Sequence, residues 1–195
     1  MIRFFDILFS LFGLIILSPF LLIIAVCIAI DSKGGVFYKQ TRVGKNNIDF
    51  KLYKFRTMAI GSDKGSLITI GEKDSRITKT GFFLRKYKLD ELPQLINVLK
   101  GDMSLVGPRP EVRKYVDFYT PEQRKVLTVR PGITDYASIE YIDENQILGA
   151  ASDPDKAYIE QIMPDKIRYN MKYIDNQSLK EYFKLIFLTI YKIIK

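Results

Sequence analysis

One stretch near the start of the chain restricts the fold more than any other. Residues 7–30 contain no charged side chain, and nearly all of them are apolar. At about 1.5 Å of rise per residue, a helix of this length matches a hydrocarbon core of about 30 Å. The stretch is too long for a cleavable signal peptide, and no small-residue cleavage site follows it. It therefore predicts a membrane helix.

Ser18 and Pro19 lie at the middle of this apolar stretch. Proline lacks a backbone donor and collides with the preceding turn, so it bends or breaks a helix. In lipid, the hydroxyl of Ser18 can satisfy the carbonyl that the proline leaves without a partner. The residues leave two forms open. One is a slightly bent spanning helix, and the other is a re-entrant helix that breaks at Ser18-Pro19 and returns to the same face.

The charges around the apolar stretch predict its orientation. Between residues 33 and 56 there are seven cations and a single acid, Asp49. By the positive-inside rule, this excess places the following part of the chain in the cytoplasm. Arg3, before the stretch, does not oppose a cytoplasmic N-terminus. We therefore expect a membrane helix over 1–32 and one cytoplasmic domain over 33–195, which is long enough to bury a core.

The remaining chain predicts an α/β (α+β) domain that is mostly helical and contains one short β-hairpin. Strand-like patterns at 36–42 and 48–57 flank a turn. Residues 60–79 are rich in Gly, Ser and Thr and predict a loop. At 100° per residue, 179–195 form a basic amphipathic helix. Its apolar face suits either an interfacial position on the membrane or packing on the domain core.

The composition narrows the chemistry. The chain has no histidine and one cysteine, which excludes a disulfide framework and removes the usual zinc ligand and neutral-pH base. Any catalysis must therefore use carboxylates, Lys, Arg, hydroxyls or a bound hard metal ion. The net charge of +8 also suits a membrane-tethered protein that only binds anionic partners.

The groups suited to catalysis concentrate between Arg85 and Arg109. Asp90 and Glu91 are adjacent carboxylates at a predicted helix start, and Arg109 lies in a stiff Pro-Arg-Pro frame. Such an acidic pair usually only complements the helix dipole. Together with the nearby cations, however, it has the composition of a phosphate-plus-Mg²⁺ site. A helix N-terminus would keep Asp90 ionised, so that it could attack phosphorus.

Several ordered segments carry a resemblance to a known family. They are Gln-x-Arg-x-Gly at 40–44, Lys-Phe-Arg-Thr-Met at 54–58, 85–95 with Asp-Glu-Leu-Pro-Gln-Leu, 97–110 ending in Gly-Pro-Arg-Pro, Arg-Pro-Gly-Ile-Thr at 130–134 and Tyr-Ile-Asp-Asn-Gln-Ser at 173–178. Together with the apolar stretch and its central Ser-Pro, they resemble the bacterial sugar transferase family, the monotopic phosphoglycosyl transferases. The resemblance covers nearly the whole chain, and the length is that of the small form.

The resemblance implies a reaction and a location. Such enzymes transfer a phospho-sugar from a UDP-sugar to undecaprenyl phosphate or another polyprenol phosphate and release UMP, in the first membrane step of glycan biosynthesis. It further implies a re-entrant anchor in the inner leaflet of the bacterial inner membrane, a catalytic domain facing the cytoplasm, and Mg²⁺. Protein partners stay open between a second copy of the chain and downstream glycosyltransferases, and nucleic acid is not expected.

The resemblance also implies roles for single residues. Asp90 matches the nucleophile of the family, and Glu91 matches its partner at the Mg²⁺ site, so both are candidate catalytic residues and metal ligands. Arg85 matches a phosphate-binding arginine. Three further cations fall in family motifs and are expected to bind the phosphates or the nucleotide: Lys54, Arg56 and Arg109. Ser18 and Pro19 match the break in the anchor.

One stretch departs from the family pattern. Many members continue Arg-Pro-Gly-Ile-Thr with Gly-Trp-Ala-Gln-Ile-Asn-Gly-Arg, whereas this chain has Asp-Tyr-Ala-Ser-Ile-Glu-Tyr at 135–141 and an unusual continuation to 154. Neutral drift in a surface loop and altered recognition of the sugar or a partner both explain it. The transferred sugar therefore stays open. A nucleotide-sugar hydrolase is a further alternative function.

Overall fold

The computed structural model describes residues 1–62, 74–141 and 144–194. Most of the loop predicted at 60–79 lies outside these residues, as do two residues of the atypical stretch. The described part is mostly helical with four short strands, which agrees with the predicted fold class.

The apolar stretch forms α1, Ile2–Asp31, with a mean hydropathy of 2.9. It is the one helix in the described ranges that is long and apolar enough to cross a membrane. Helical structure continues through Ser18 and Pro19, so this pair does not end the helix. As expected for a helix that contains proline, the Ser18 hydroxyl donates to the carbonyl of Ile15 at 2.8 Å. The re-entrant path stays a prediction.

The hairpin forms as predicted. Strands β1, Phe37–Val43, and β2, Asp49–Phe55, pair antiparallel, with Tyr38 opposite Lys54. After residue 74 come α2, Lys79–Lys86, and α3, Gln94–Lys100. Helix α3 stops at Gly101, whose φ of 93° suits glycine.

A second, two-stranded sheet carries the segment that leads to Pro-Arg-Pro. Strand β3, Ser104–Val106, pairs parallel with β4, Gly132–Thr134. Next to these strands the backbones of Gly107 and Gly132 touch, since a Cβ on Gly132 would lie 2.1 Å from the nitrogen of Gly107. Only glycine fits at this close approach. The sheet thereby fixes the backbone just before Arg109.

Helices form the rest of the domain. They are α4 (Arg113–Val116), α5 (Tyr136–Glu140), α6 (Glu144–Ala150), α7 (Pro154–Ala157), α8 (Met163–Asp175) and α9 (Leu179–Ile194). In α9, Tyr182 and Leu185 are fully buried, whereas Phe187 and Tyr191 are exposed. The predicted amphipathic helix therefore packs on the core with one side and leaves apolar side chains free on another.

Helix α1 is attached to the domain near both of its ends. At the start, Arg3 donates to the carbonyls of Val98 and Leu99 at 2.6 and 3.0 Å. Near the end, Ile28 is buried in a cluster that includes Leu84 of α2. The helix therefore lies against the domain instead of projecting away from it.

Candidate active site

Asp90 and Glu91 lie in a tight 3₁₀ turn, Leu89–Glu91, between α2 and α3. The turn begins after Lys88, whose φ of 56° is left-handed and ends the preceding helix. Pro93 has no N–H to donate back to the turn, so regular α-helix starts only at Gln94. The carboxylates thus precede the helix and do not form its first turn.

Glu91 is held by two cations. The Lys54 ammonium lies 2.8 Å from Oε1 of Glu91, and the guanidinium of Arg109 donates to both carboxylate oxygens. Burial by itself raises the pKa of Glu91, but the charges of Arg109 and Lys54 outweigh it and hold the pKa well below its usual range. Glu91 is therefore a paired anion.

Asp90 has different surroundings. Its side chain is 7% exposed, and within the described ranges no donor is hydrogen-bonded to its carboxylate. Burial raises the pKa of Asp90, although the positive charges of Lys54, Arg85 and Arg109 act in the opposite direction. The expectation that a helix N-terminus lowers this pKa is wrong, because the residue is buried in a turn outside the helix. The three cations give the surroundings of this carboxylate a positive potential.

The Pro-Arg-Pro segment is restrained by its neighbours. The carbonyl of Pro108 accepts from the N–H of Gly132 at 2.9 Å, outside the register of the β3–β4 pair. The carbonyl of Pro110 accepts from the guanidinium of Arg42 at 3.1 Å. These bonds hold both sides of Arg109, whose side chain reaches Glu91.

The atypical stretch, 135–154, begins with buried residues. Asp135 is 1% exposed and accepts from the Arg109 N–H at 2.8 Å. Ala137 is fully buried. Drift in a surface loop is therefore the wrong explanation for the first residues of this stretch, because they pack against the site.

The structure brings five of the six predicted site residues together and separates the sixth. Arg85, in the last turn of α2, adds its charge near Asp90. Arg56, by contrast, donates to the carbonyls of Ser32, Lys33 and Gly35 at 2.9, 3.0 and 2.6 Å. These carbonyls directly follow α1, so Arg56 ties the end of the membrane helix to β2.

Comparison with known proteins identifies the family. The model of the family described as bacterial sugar transferase matches residues 1–195. The chain belongs to this family. It is 40% identical over 188 residues to the UDP-N-acetylgalactosamine-undecaprenyl-phosphate N-acetylgalactosaminephosphotransferase of Aeromonas hydrophila, covering 95% of this chain and 41% of that protein.

Other members of the bacterial sugar transferase family give similar values. A UDP-glucose:undecaprenyl-phosphate glucose-1-phosphate transferase of Klebsiella pneumoniae is 38% identical, covering 96% of this chain and 38% of that protein. The exopolysaccharide production protein PSS of Rhizobium leguminosarum is 37% identical, covering 96% of this chain and 92% of that protein. The chain thus spans about two fifths of the first two relatives and nearly all of the third.

Reasoning from the sequence missed two polar residues beside the site of this family member. Arg42 donates through Nε and one terminal nitrogen to Oε1 of Gln40, at 3.0 and 2.7 Å. Both side chains lie on the same face of β1 as Tyr38, and Tyr38 pairs with Lys54. The alternation of side chains along the hairpin was the signal that assigns them to the face of Lys54.

Two carboxylates could contribute to a magnesium site, and magnesium binding stays a prediction. Within the described ranges, no group of three or more acidic, His or Cys side chains could hold a metal ion. The two carboxylates are those of Asp90, which has no hydrogen bond to a described residue, and of Glu91, whose Oε2 accepts from Arg109 at 3.3 Å. Mg²⁺ commonly takes one or two protein carboxylates and completes its shell with water and substrate phosphates.

Proposed function

We propose that the chain transfers a sugar phosphate from a UDP-sugar to undecaprenyl phosphate, releasing UMP and forming a polyprenyl diphosphate-linked sugar. Family membership and the activities of two relatives support this reaction class. The observation that carries the proposal is the contrast between the adjacent carboxylates. Glu91 is engaged by two cations, whereas no hydrogen bond holds the carboxylate of buried Asp90 among the residues that the structure describes.

The proposed reaction has two displacements at one phosphorus. A carboxylate oxygen of Asp90 attacks the β-phosphorus of the donor, and the bond to the UMP oxygen breaks. UMP leaves, and the sugar phosphate is bound to Asp90 as an acyl phosphate. An oxygen of the lipid phosphate then attacks the same phosphorus and releases Asp90. The lipid phosphate is already ionised, so the absence of histidine is no obstacle.

The cations have the complementary task. Lys54, Arg85 and Arg109 surround Asp90 with positive charge, which offsets the charge of the diphosphate and of the departing UMP. Asp90 and Glu91 would hold Mg²⁺, which when bound neutralises phosphate oxygens. Arg56 has no part in this proposal, because its guanidinium is bound to carbonyls at the end of α1.

The proposed location is the cytoplasmic face of the inner membrane, with α1 as a re-entrant anchor. Arg3 binds the end of α3 and Arg56 binds the segment after α1, so both ends of this helix are attached to the same domain. Exposed apolar side chains along α1 and on α9 suit a lipid environment. In this position the site is open both to a soluble donor and to a lipid phosphate.

The test measures UMP released from a panel of UDP-sugars in detergent with Mg²⁺, with and without undecaprenyl phosphate. Release that depends on the lipid supports the proposal. Release without the lipid, at a rate that the lipid does not raise, indicates a hydrolase. No release by folded protein across the panel favours a membrane-tethered binding protein.

The covalent step has its own measurement. After incubation with the accepted donor alone, the peptide that contains Asp90 is expected to gain the mass of a sugar phosphate. A protein that forms lipid product, yet whose trapped peptide gains no mass, contradicts the aspartyl intermediate.

A further inference from the structure

Asp135 connects three parts of the structure through one carboxylate. Its Oδ1 accepts from the N–H of Ser138 at 2.5 Å and caps α5. Its Oδ2 accepts from the N–H of Arg109 at 2.8 Å and from the side-chain amide of Asn170, in α8, at 3.0 Å. The side chain is almost fully buried, so these bonds are sheltered from water.

The backbone N–H of Arg109 makes the remaining hydrogen bond that restrains the Pro-Arg-Pro segment. Because Pro108 and Pro110 have no N–H, Arg109 carries the one backbone donor of residues 108–110. The carbonyls of the two prolines are bonded to Gly132 and Arg42. A buried amide without an acceptor costs about 1–3 kcal/mol, so loss of the Asp135 carboxylate would leave the backbone of Arg109 free to shift.

We infer that Asp135 is a positioning residue, which aligns Arg109 with Glu91 for the reaction proposed above. The inference rests on that proposed function. The Asp135 carboxylate thereby restrains the Pro-Arg-Pro segment from the start of the atypical stretch.

The first experiment measures the bond itself. Asp135→Ser keeps the cap of α5, because serine is a good N-cap residue, but its side chain is too short to reach Arg109. Hydrogen exchange followed by mass spectrometry isolates Arg109, the one residue of 108–110 with an amide proton. We expect at least about tenfold faster exchange in the variant, equivalent to loss of about 1.4 kcal/mol of protection. Unchanged exchange overturns the inference.

The second experiment measures the consequence for catalysis. Asp135→Ser is expected to lower kcat for UMP release by about 10–100-fold, the range for a displaced catalytic group, with a smaller change in KM. If Asp135 acts through the Arg109 side chain, the same substitution has little further effect in an Arg109→Ala background, where no cation is left to position. Losses that multiply in the double variant overturn the inference.

A matched control separates capping from positioning. Asp153 caps α7 by accepting from the N–H of Lys156 at 3.0 Å, so Asp153→Ser repeats the substitution at another helix start. Its kcat is expected to stay within twofold of the wild type, and a loss equal to that of Asp135→Ser overturns the positioning role.

Two other outcomes have a defined meaning: a variant that does not fold and a wild type without activity. If Asp135→Ser does not fold, Asp135→Gly carries both measurements, because glycine removes the acceptor for the Arg109 N–H and is tolerated at an N-cap position. A wild-type protein without transferase activity contradicts the proposed function. Exchange at Arg109 still decides the role of Asp135 in that case.

Discussion

At the scale of single residues, two adjacent carboxylates have opposite environments. Glu91 contacts Lys54 of β2 and Arg109 of the Pro-Arg-Pro segment, so its charge is compensated. Asp90 is buried beside the same cations, and the described residues offer its oxygens no hydrogen bond. We therefore expect substitutions at these two positions to act differently on stability and on activity.

Asp90→Asn is expected to abolish activity without lowering stability. Because the folded-state pKa of Asp90 is raised by burial, the ionised carboxylate destabilises the fold at neutral pH, and the neutral amide removes that cost. UMP release should fall at least about a thousandfold, and the melting temperature should stay constant or rise. Full activity in a folded Asn variant would exclude Asp90 as the nucleophile.

Glu91→Gln is expected to lower stability. The substitution leaves Lys54 and Arg109 without their counter-charge in a mostly buried place. The loss should be about 2 kcal/mol, below the range for a fully buried pair because Arg109 is one third exposed. Denaturant unfolding of Glu91→Gln and of Asp90→Asn measures the difference between their free energies of unfolding. Equal stability of Glu91→Gln and the wild type would show that the pairs do not stabilise the fold.

At the scale of elements, the two ends of α1 are attached by arginines that bind carbonyls. The last carbonyls of a helix have no partner within the helix, and a guanidinium can satisfy several of them at once. Arg3 does this for the end of α3, and Arg56 does it for the segment that follows α1. Arg56 is therefore an architectural residue, although it lies only two positions after Lys54.

Arg56→Ala is expected to destabilise the protein and to leave the affinity for the donor unchanged. Three hydrogen bonds from a buried guanidinium are lost, which should cost about 2–4 kcal/mol. Thermal unfolding measures the loss, and the KM for the UDP-sugar should stay within twofold. Lys54→Ala is the comparison and should impair catalysis. A large rise in KM for Arg56→Ala would restore a phosphate-binding role.

Gly132→Ala tests the close approach of the Gly132 and Gly107 backbones. An added Cβ would meet the backbone nitrogen of Gly107 at 2.1 Å, and the backbone cannot yield as a flexible side chain can. We expect a loss of at least about 2 kcal/mol, together with lower activity because Arg109 follows this contact. Gly35→Ala is the control, since the nearest atom lies 3.9 Å away. Similar stability of the two variants would contradict the close approach.

At the scale of the whole molecule, the long apolar helix and the candidate site residues form one packed unit. Helix α1 contacts the domain near both ends while most of its large apolar side chains stay exposed. Exposed Phe187 and Tyr191 of α9 extend the apolar surface. A helix that enters and leaves the bilayer by one face is the proposed path, and it stays a prediction.

Cysteine labelling tests this topology. The single native cysteine, Cys27, is first replaced by serine, and cysteine is then introduced as Ile2→Cys or Lys33→Cys. An impermeant thiol reagent should label neither position in intact cells and both after the inner membrane is opened. Labelling at residue 2 in intact cells would instead support a spanning helix.

The sequence alone determined those features that depend on local patterns. The length of the apolar stretch specified α1, and the alternation of side chains specified the hairpin. The order of rare motifs indicated the family, and the adjacent carboxylates among cations were recognisable as a candidate site. Each of these features is carried by local runs of residues or by their order along the chain, so it can be recognised without knowledge of packing.

The tertiary structure decided which side chains meet. Lys54 and Arg56 look equivalent in the sequence, but β2 ends at Phe55, so the alternation that aims Lys54 at Glu91 no longer applies to Arg56. Asp135 and Arg109 are 26 residues apart, and they meet only because β3 and β4 pair. Such contacts come from packing between distant segments, and no local pattern of residues encodes that packing.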